Sequence, residues 1–143
     1  MKKLIIACAL VIGSMSLKAQ ITTGKDVAIV ATDAGKVRGY IHSGIYTYKG
    51  IPYAEAARFE APHKPKPWAG VRSSMSYGPV SPLIDETTQI QDESEFVFNH
   101  NWGFTNEDCM RINVWTPGIN DGKKRPVMFW IHGGGFTSGS AVE

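Results

Sequence analysis

The sequence predicts an α/β protein, and the opening part of one, on three observations. Short strand signals separated by small glycine-bearing turns stand near the N-terminus. Val127-Met128-Phe129-Trp130-Ile131 is apolar at every position, as in a central strand covered on both faces. That run leads directly into a triple-glycine loop, Gly133-Gly134-Gly135. A doubly covered strand needs helices, yet no amphipathic helix of ordinary length can be read in the 143 residues.

Taken in order, residues 1–19 read as a secretory signal. Lys2 and Lys3 supply the positive start, residues 4–17 are mostly apolar and uncharged, and Ala19 is small enough for cleavage before Gln20. The apolar stretch is shorter than the ~20 residues a spanning helix requires, so a secreted or periplasmic location without a stable membrane anchor is expected. Cys8 sits inside that stretch, too early to mark a lipoprotein.

The signal also sets the charge. The chain has 15 basic and 13 acidic residues. Lys2, Lys3 and Lys18 leave with the signal and no acid does, so residues 20–143 carry 12 against 13. A balance this even gives no reason to expect nucleic acid as a partner. Cys109 is then the only cysteine, which excludes an internal disulfide.

Residues 27–32 and 37–41 read as strands around a turn at Asp33-Ala34-Gly35-Lys36. Ile45-Tyr46-Thr47-Tyr48 follows Ser43-Gly44 as a third, making a small antiparallel meander. Residues 50–82 hold six prolines (Pro52, Pro62, Pro65, Pro67, Pro79 and Pro82) and no helical period, which suits ordered coil laid over something else. The acidic patch at Asp92-Glu93-Ser94-Glu95 runs into Phe96-Val97-Phe98, a short surface segment. Residues 111–116 alternate and stop at Pro117-Gly118, a half-buried strand; Asn120-Asp121-Gly122-Lys123 is a turn.

The glycine loop has a phosphate-binding and an acyl-transfer reading. Successive glycine amides can cradle an anion. The phosphate fingerprints fail, however: Gly134 and Gly139 have the P-loop spacing, but Ser140 stands where lysine is needed, and a dinucleotide fingerprint from Gly133 would need glycine where Ser138 stands. Acyl transfer fits better. Negative charge develops on a carbonyl oxygen, and backbone N–H groups held at that point stabilise it. Histidine followed by three glycines after a strand is the form this loop takes in lipases and esterases.

Four blocks, in order, then resemble the type-B carboxylesterase family, which includes cholinesterases and secreted bacterial esterases. They are Gly50-Ile51-Pro52-Tyr53-Ala54 with Arg58-Phe59; Trp68-Ala69-Gly70-Val71-Arg72 with Tyr77-Gly78-Pro79; Asn106 through Pro117; and Pro126 through Phe136 with Ser138-Gly139-Ser140. The resemblance covers roughly the family's first quarter. It implies the N-terminal fragment of an α/β-hydrolase fold, beginning with the meander and ending at the oxyanion loop. It implies a serine esterase working on small carboxylic esters through an acyl-enzyme, without cofactor or metal. Two oxyanion donors fall on the amides of Gly134 and Gly135, with His132 and Gly133 supporting the loop. Phe136 could line an acyl pocket, and Arg58 with Glu107 matches an internal ion pair.

The resemblance also places the nucleophile, acid and base downstream, and no Gly-x-Ser-x-Gly occurs in these residues. A complete site therefore needs the downstream part of the same fold. The alternative is a non-catalytic secreted interaction module derived from that fold. His42, His63 and His100 show no metal-ligand spacing and read as ordinary residues, and Trp115 and Trp130 as core. The sequence departs from the family pattern at Ser81, where a cysteine often pairs with the position of Cys109, at Leu83, and in a shortened connection from Ala54 to Arg58.

Overall fold

The computed structural model describes residues 20–82, 104–133 and 139–142. The signal at 1–19, Leu83, the acidic patch, His100 and the loop residues Gly134, Gly135 and Phe136 lie outside the described residues. Seven strands form: β1 (Ile21–Thr22), β2 (Ile29–Ala31), β3 (Lys36–Arg38), β4 (Tyr40–His42), β5 (Ile45–Pro52), β6 (Val71–Ser73) and β7 (Arg111–Thr116). No helix is present among the described residues.

The expected meander is built from two hairpins. Thr32 makes the first turn: its Oγ1 accepts the N–H groups of Ala34 at 3.3 Å and Gly35 at 3.2 Å and donates to the Gly35 carbonyl at 2.8 Å. β2 and β3 therefore pair antiparallel, Val30 opposite Val37. Ser43 (φ 49°) and Gly44 (φ 81°) form the second turn, joining β4 to β5 with His42 opposite Ile45. Two central residues with positive φ match the right-handed twist of the flanking strands.

The single strand expected over 37–41 is broken at Gly39, and its halves enter different sheets. β3 lies between β2 and β6 in a three-stranded sheet, and β4 lies between β1 and β5 in a four-stranded one of order β1-β4-β5-β7. The crossing brings Gly39 hard against β5. A Cβ there would collide with the Thr47 carbonyl oxygen and stand 2.8 Å from the Tyr48 ring. Only glycine permits that approach.

The core sits at this crossing. Val37 (0% exposed), Tyr48 (2%) and Ala28 (6%) are its buried centre, with Val30, Ile41, Ile51, Trp68 and Ile119 packed around them. Trp68 fastens the proline-rich coil to the β2–β3 hairpin. Its indole Nε1 donates to the Lys36 carbonyl at 3.0 Å, its backbone N–H to the Ala34 carbonyl at 2.8 Å, and its ring carries the Arg72 guanidinium 4.3 Å away. The coil is interrupted by β6, which pairs parallel with β3.

Two expectations are corrected. Residues 127–131 form no strand; Val127, Met128, Phe129, Trp130 and Ile131 are between 68% and 92% exposed. A strand apolar on both faces is stable only with neighbours at its edges and cover on each side. Among the described residues no strand lies along it. For the same reason Trp130 is outside the core, and Trp115, on the last strand of its sheet, is 54% exposed.

After β7, Asp121 accepts from the Lys123 N–H at 3.1 Å and from the Arg125 guanidinium at 3.0 Å, closing the turn at residues 120–123. The Arg125 hydrogen bond holds the Asp121 carboxyl down at about 2, against an ordinary 3.8. A depressed carboxylate contributes stability that is present above the ordinary value and lost as pH falls through the folded one. The Asp121 carboxyl carbon, followed by NMR, should therefore titrate near pH 2, and Arg125→Ala should raise that midpoint toward the ordinary value, with the Lys123 N–H still holding it below. A midpoint already at the ordinary value in the unsubstituted chain would remove the pair.

Candidate functional site

The site is built on β7, the bulge it faces in β5, and the two ends of the glycine loop. β5 and β7 pair with Tyr48 opposite Val114 and Ile51 opposite Ile112. Lys49 and Gly50 therefore share one opposing residue, Asn113, and the strand is bulged there. Gly50 takes the required left-handed φ of 66°. Its N–H, turned out of the ladder, donates to Asn113 Oδ1 at 2.9 Å, and its carbonyl accepts from Arg111 Nη1 at 3.4 Å. Both backbone groups of the bulge are thus satisfied by side chains of β7.

At the entry to the loop, His132 Nδ1 lies 2.8 Å from the Gly133 carbonyl oxygen. In the tautomer with hydrogen on Nδ1 the ring donates to its own backbone. At the exit, Gly139 (φ 91°) rests on this arrangement. A Cβ on it would stand 2.7 Å from His132 Nδ1 and clash with the Gly133 carbonyl. Entry and exit therefore touch, with residues 134–138 spanning between them. Ser140 is buried, its Oγ accepting the Val142 N–H at 3.1 Å, and the Ala141 carbonyl accepts from Asn113 Nδ2 at 2.7 Å.

Farther along, Arg58 Nη1 donates to Glu107 Oε1 at 2.9 Å, joining the coil after β5 to the segment before β7. The side chains are 66% and 56% exposed, so the pair stands at the surface and not in the interior. Exposed pairs contribute little, about 0–1 kcal/mol. A groove of about 310 Å³ beside it is lined by Ala54, Glu55, Ala56, Asn106, Glu107, Asp108 and Met110. Its three carboxylates are engaged: Glu55 with the Lys66 N–H, Glu107 with Arg58, and Asp108 with Arg111. Carboxylates tied in this way, with no nucleophile among the lining residues, do not form an acid–base pair.

His42 and His63 are exposed, Cys109 is a free, half-buried thiol and Ser81 is exposed. Among the described residues no group of three His, Cys, Asp or Glu side chains could hold a metal ion. Sequence reasoning set Asn113 and Gly139 inside blocks of the family resemblance but gave neither a role in the site. The signal for the first was a carboxamide between apolar residues in an alternating strand; for the second it was a glycine just past the loop.

Solved structures give the class first. An esterase from anaerobic Clostridium hathewayi, described as able to hydrolyze aliphatic aromatic polyesters, superposes with a TM-score of 0.73 at 41% identity, over 83% of this chain and 23% of that one. It and the other solved neighbours are esterases of the α/β-hydrolase fold, the class expected from the sequence. The profile of the carboxylesterase family matches residues 26–143, and the chain belongs to that family. Phenmedipham hydrolase of Pseudarthrobacter oxydans is 39% identical over 116 residues, 78% of this chain and 22% of that protein. Para-nitrobenzyl esterase of Bacillus subtilis (strain 168) is 36% identical over 124 residues, 80% of this chain and 23% of that protein. The chain thus spans less than a quarter of the length of these relatives.

Proposed function

We propose that these residues are the leading part of an exported carboxylic ester hydrolase that works through a serine acyl-enzyme. This chain supplies two of its oxyanion donors, the amides of Gly134 and Gly135. The observation that carries the reading is the His132-Gly133-Gly134-Gly135 loop after an apolar run, inside a family match that extends from residue 26 to 143. Two amides aimed at one point stabilise the oxyanion of the tetrahedral intermediate more than the ester carbonyl that precedes it. His132 and Gly133 shape the entry to the loop, and Phe136 lines the acyl side. The serine, acid and base of the reaction are contributed by sequence other than these 143 residues.

Two preparations test this. The chain, recovered from the periplasm or medium with Gln20 as its first residue, should show no serine-inhibitor-sensitive turnover of para-nitrophenyl acetate. A chimera in which residues 26–143 replace the matching segment of the Bacillus subtilis para-nitrobenzyl esterase should show it. A folded chimera without inhibitor-sensitive turnover would sink the reading, as would turnover by the chain alone.

A further inference from the structure

Gly133 and Gly139 stand at the two ends of the glycine loop and touch each other, and the limb that follows Gly139 is fixed in turn to the sheet. A side chain of β7 ties that limb to the sheet. Asn113 donates from Nδ2 to the Ala141 carbonyl at 2.7 Å while its Oδ1 accepts the Gly50 N–H at 2.9 Å. The two partners settle the orientation of the carboxamide. A backbone N–H must face the oxygen and a backbone carbonyl must face the NH2 group, so the reversed amide would lose both bonds.

Only a side chain that accepts and donates from one planar group can do this, and aspartate, of nearly equal shape, can serve just one side. The anchor is rigid at its other end as well. Gly50 is held in the bulge by Arg111 at its carbonyl, and a Cβ on it would stand 2.8 Å from Gly78 N. The limb has its own internal order through Ser140 Oγ and the Val142 N–H, and through Gly139 packed on Gly133.

We propose that Asn113 is a positioning residue for the oxyanion loop. It fixes the exit limb, residues 139–142, to the β5 bulge, so the geometry of the loop is referred to the N-terminal sheet. Its bearing on catalysis rests on the ester-hydrolase reading above; the clamp itself does not.

The test is amide hydrogen exchange by NMR on the full 143-residue chain, unsubstituted and as Asn113→Asp and Asn113→Ala. Asn113→Asp keeps an acceptor for Gly50 and removes the donor to Ala141. It should speed exchange at Val142 by about two- to tenfold, the range a hydrogen bond of ordinary net strength gives, and leave Gly50 within about twofold. Asn113→Ala should speed both. In the chimera, Asn113→Asp should lower kcat and leave KM in place. Rates at Gly50 and Val142 that move together in Asn113→Asp, or that do not move, overturn the proposal, as does an unprotected Val142 in the unsubstituted chain. An inactive chimera alongside the split exchange pattern would remove the esterase reading and leave the clamp.

Discussion

Gly134→Pro in the chimera should lower kcat by roughly 10²–10³, the loss typical of one oxyanion donor, with KM nearly unchanged. Proline removes the backbone N–H and adds no charge, so the substitution deletes the donor itself. The expected split follows from where the charge is. A neutral ester carbonyl gains little from the amide, whereas the tetrahedral oxyanion gains most, and an interaction made only at the transition state appears in kcat. Because proline also restricts φ, the variant is to be compared with the parent chimera by near-ultraviolet circular dichroism. An intact fold with unchanged kcat would show that Gly134 gives no donor to the reaction.

Tyr48→Ala should cost about 3–5 kcal/mol, the usual range for emptying a buried aromatic site. Tyr48 is 2% exposed, lies under the Gly39 crossing and joins the two sheets. Val37 and Ala28, the other buried members of the cluster, are too small to fill the space. Domains of this size have about 5–15 kcal/mol in all, so the variant should lose most of its cooperative urea transition.

Tyr48→Phe separates the ring from the hydroxyl. The Tyr48 hydroxyl is buried with no hydrogen-bond partner among the described residues, so removing it should leave the midpoint equal or raised. Burial, and then the neighbouring Tyr46, push the Tyr48 ionisation above its ordinary 10. A raised acid contributes stability that is full below the ordinary value and lost as pH climbs through the folded one, so the variant, which has no hydroxyl to ionise, should gain further on the parent in strong alkali. A lowered Tyr48→Phe midpoint at neutral pH would mean the hydroxyl is bonded.

What could be read in advance was whatever neighbouring residues decide among themselves. β7 was legible to its last residue because Arg111-Ile112-Asn113-Val114-Trp115-Thr116 alternates and Pro117 cannot continue a ladder. The turns at Ser43-Gly44 and at residues 120–123 were legible for the same local reason. The break at Gly39 was not, because its cause is the Thr47 carbonyl on another strand. Residues 127–131 carried the pattern of a covered strand, but a pattern states a need, and the cover is a tertiary matter. For the loop, the glycines could be read directly. The hold on it could not, since Asn113 joins residues 50 and 141, far apart along the chain.

The antiparallel pairing of β5 with β7 also has a consequence in time. Tyr46 faces Thr116 and Pro52 faces Arg111, partners about 60–70 residues apart, whereas β4 meets β5 across a two-residue turn. Closing so long a loop loses entropy before any contact rewards it, so the β4–β5 hairpin can form early and β7 must arrive late. The Gly50 bulge has no partner for its N–H until Asn113 arrives, and the Ala141 limb has no anchor until then either. The limb at residues 139–142 is therefore placed last, on a sheet that already exists, and every fault in pairing that sheet reaches the limb as a fault of position.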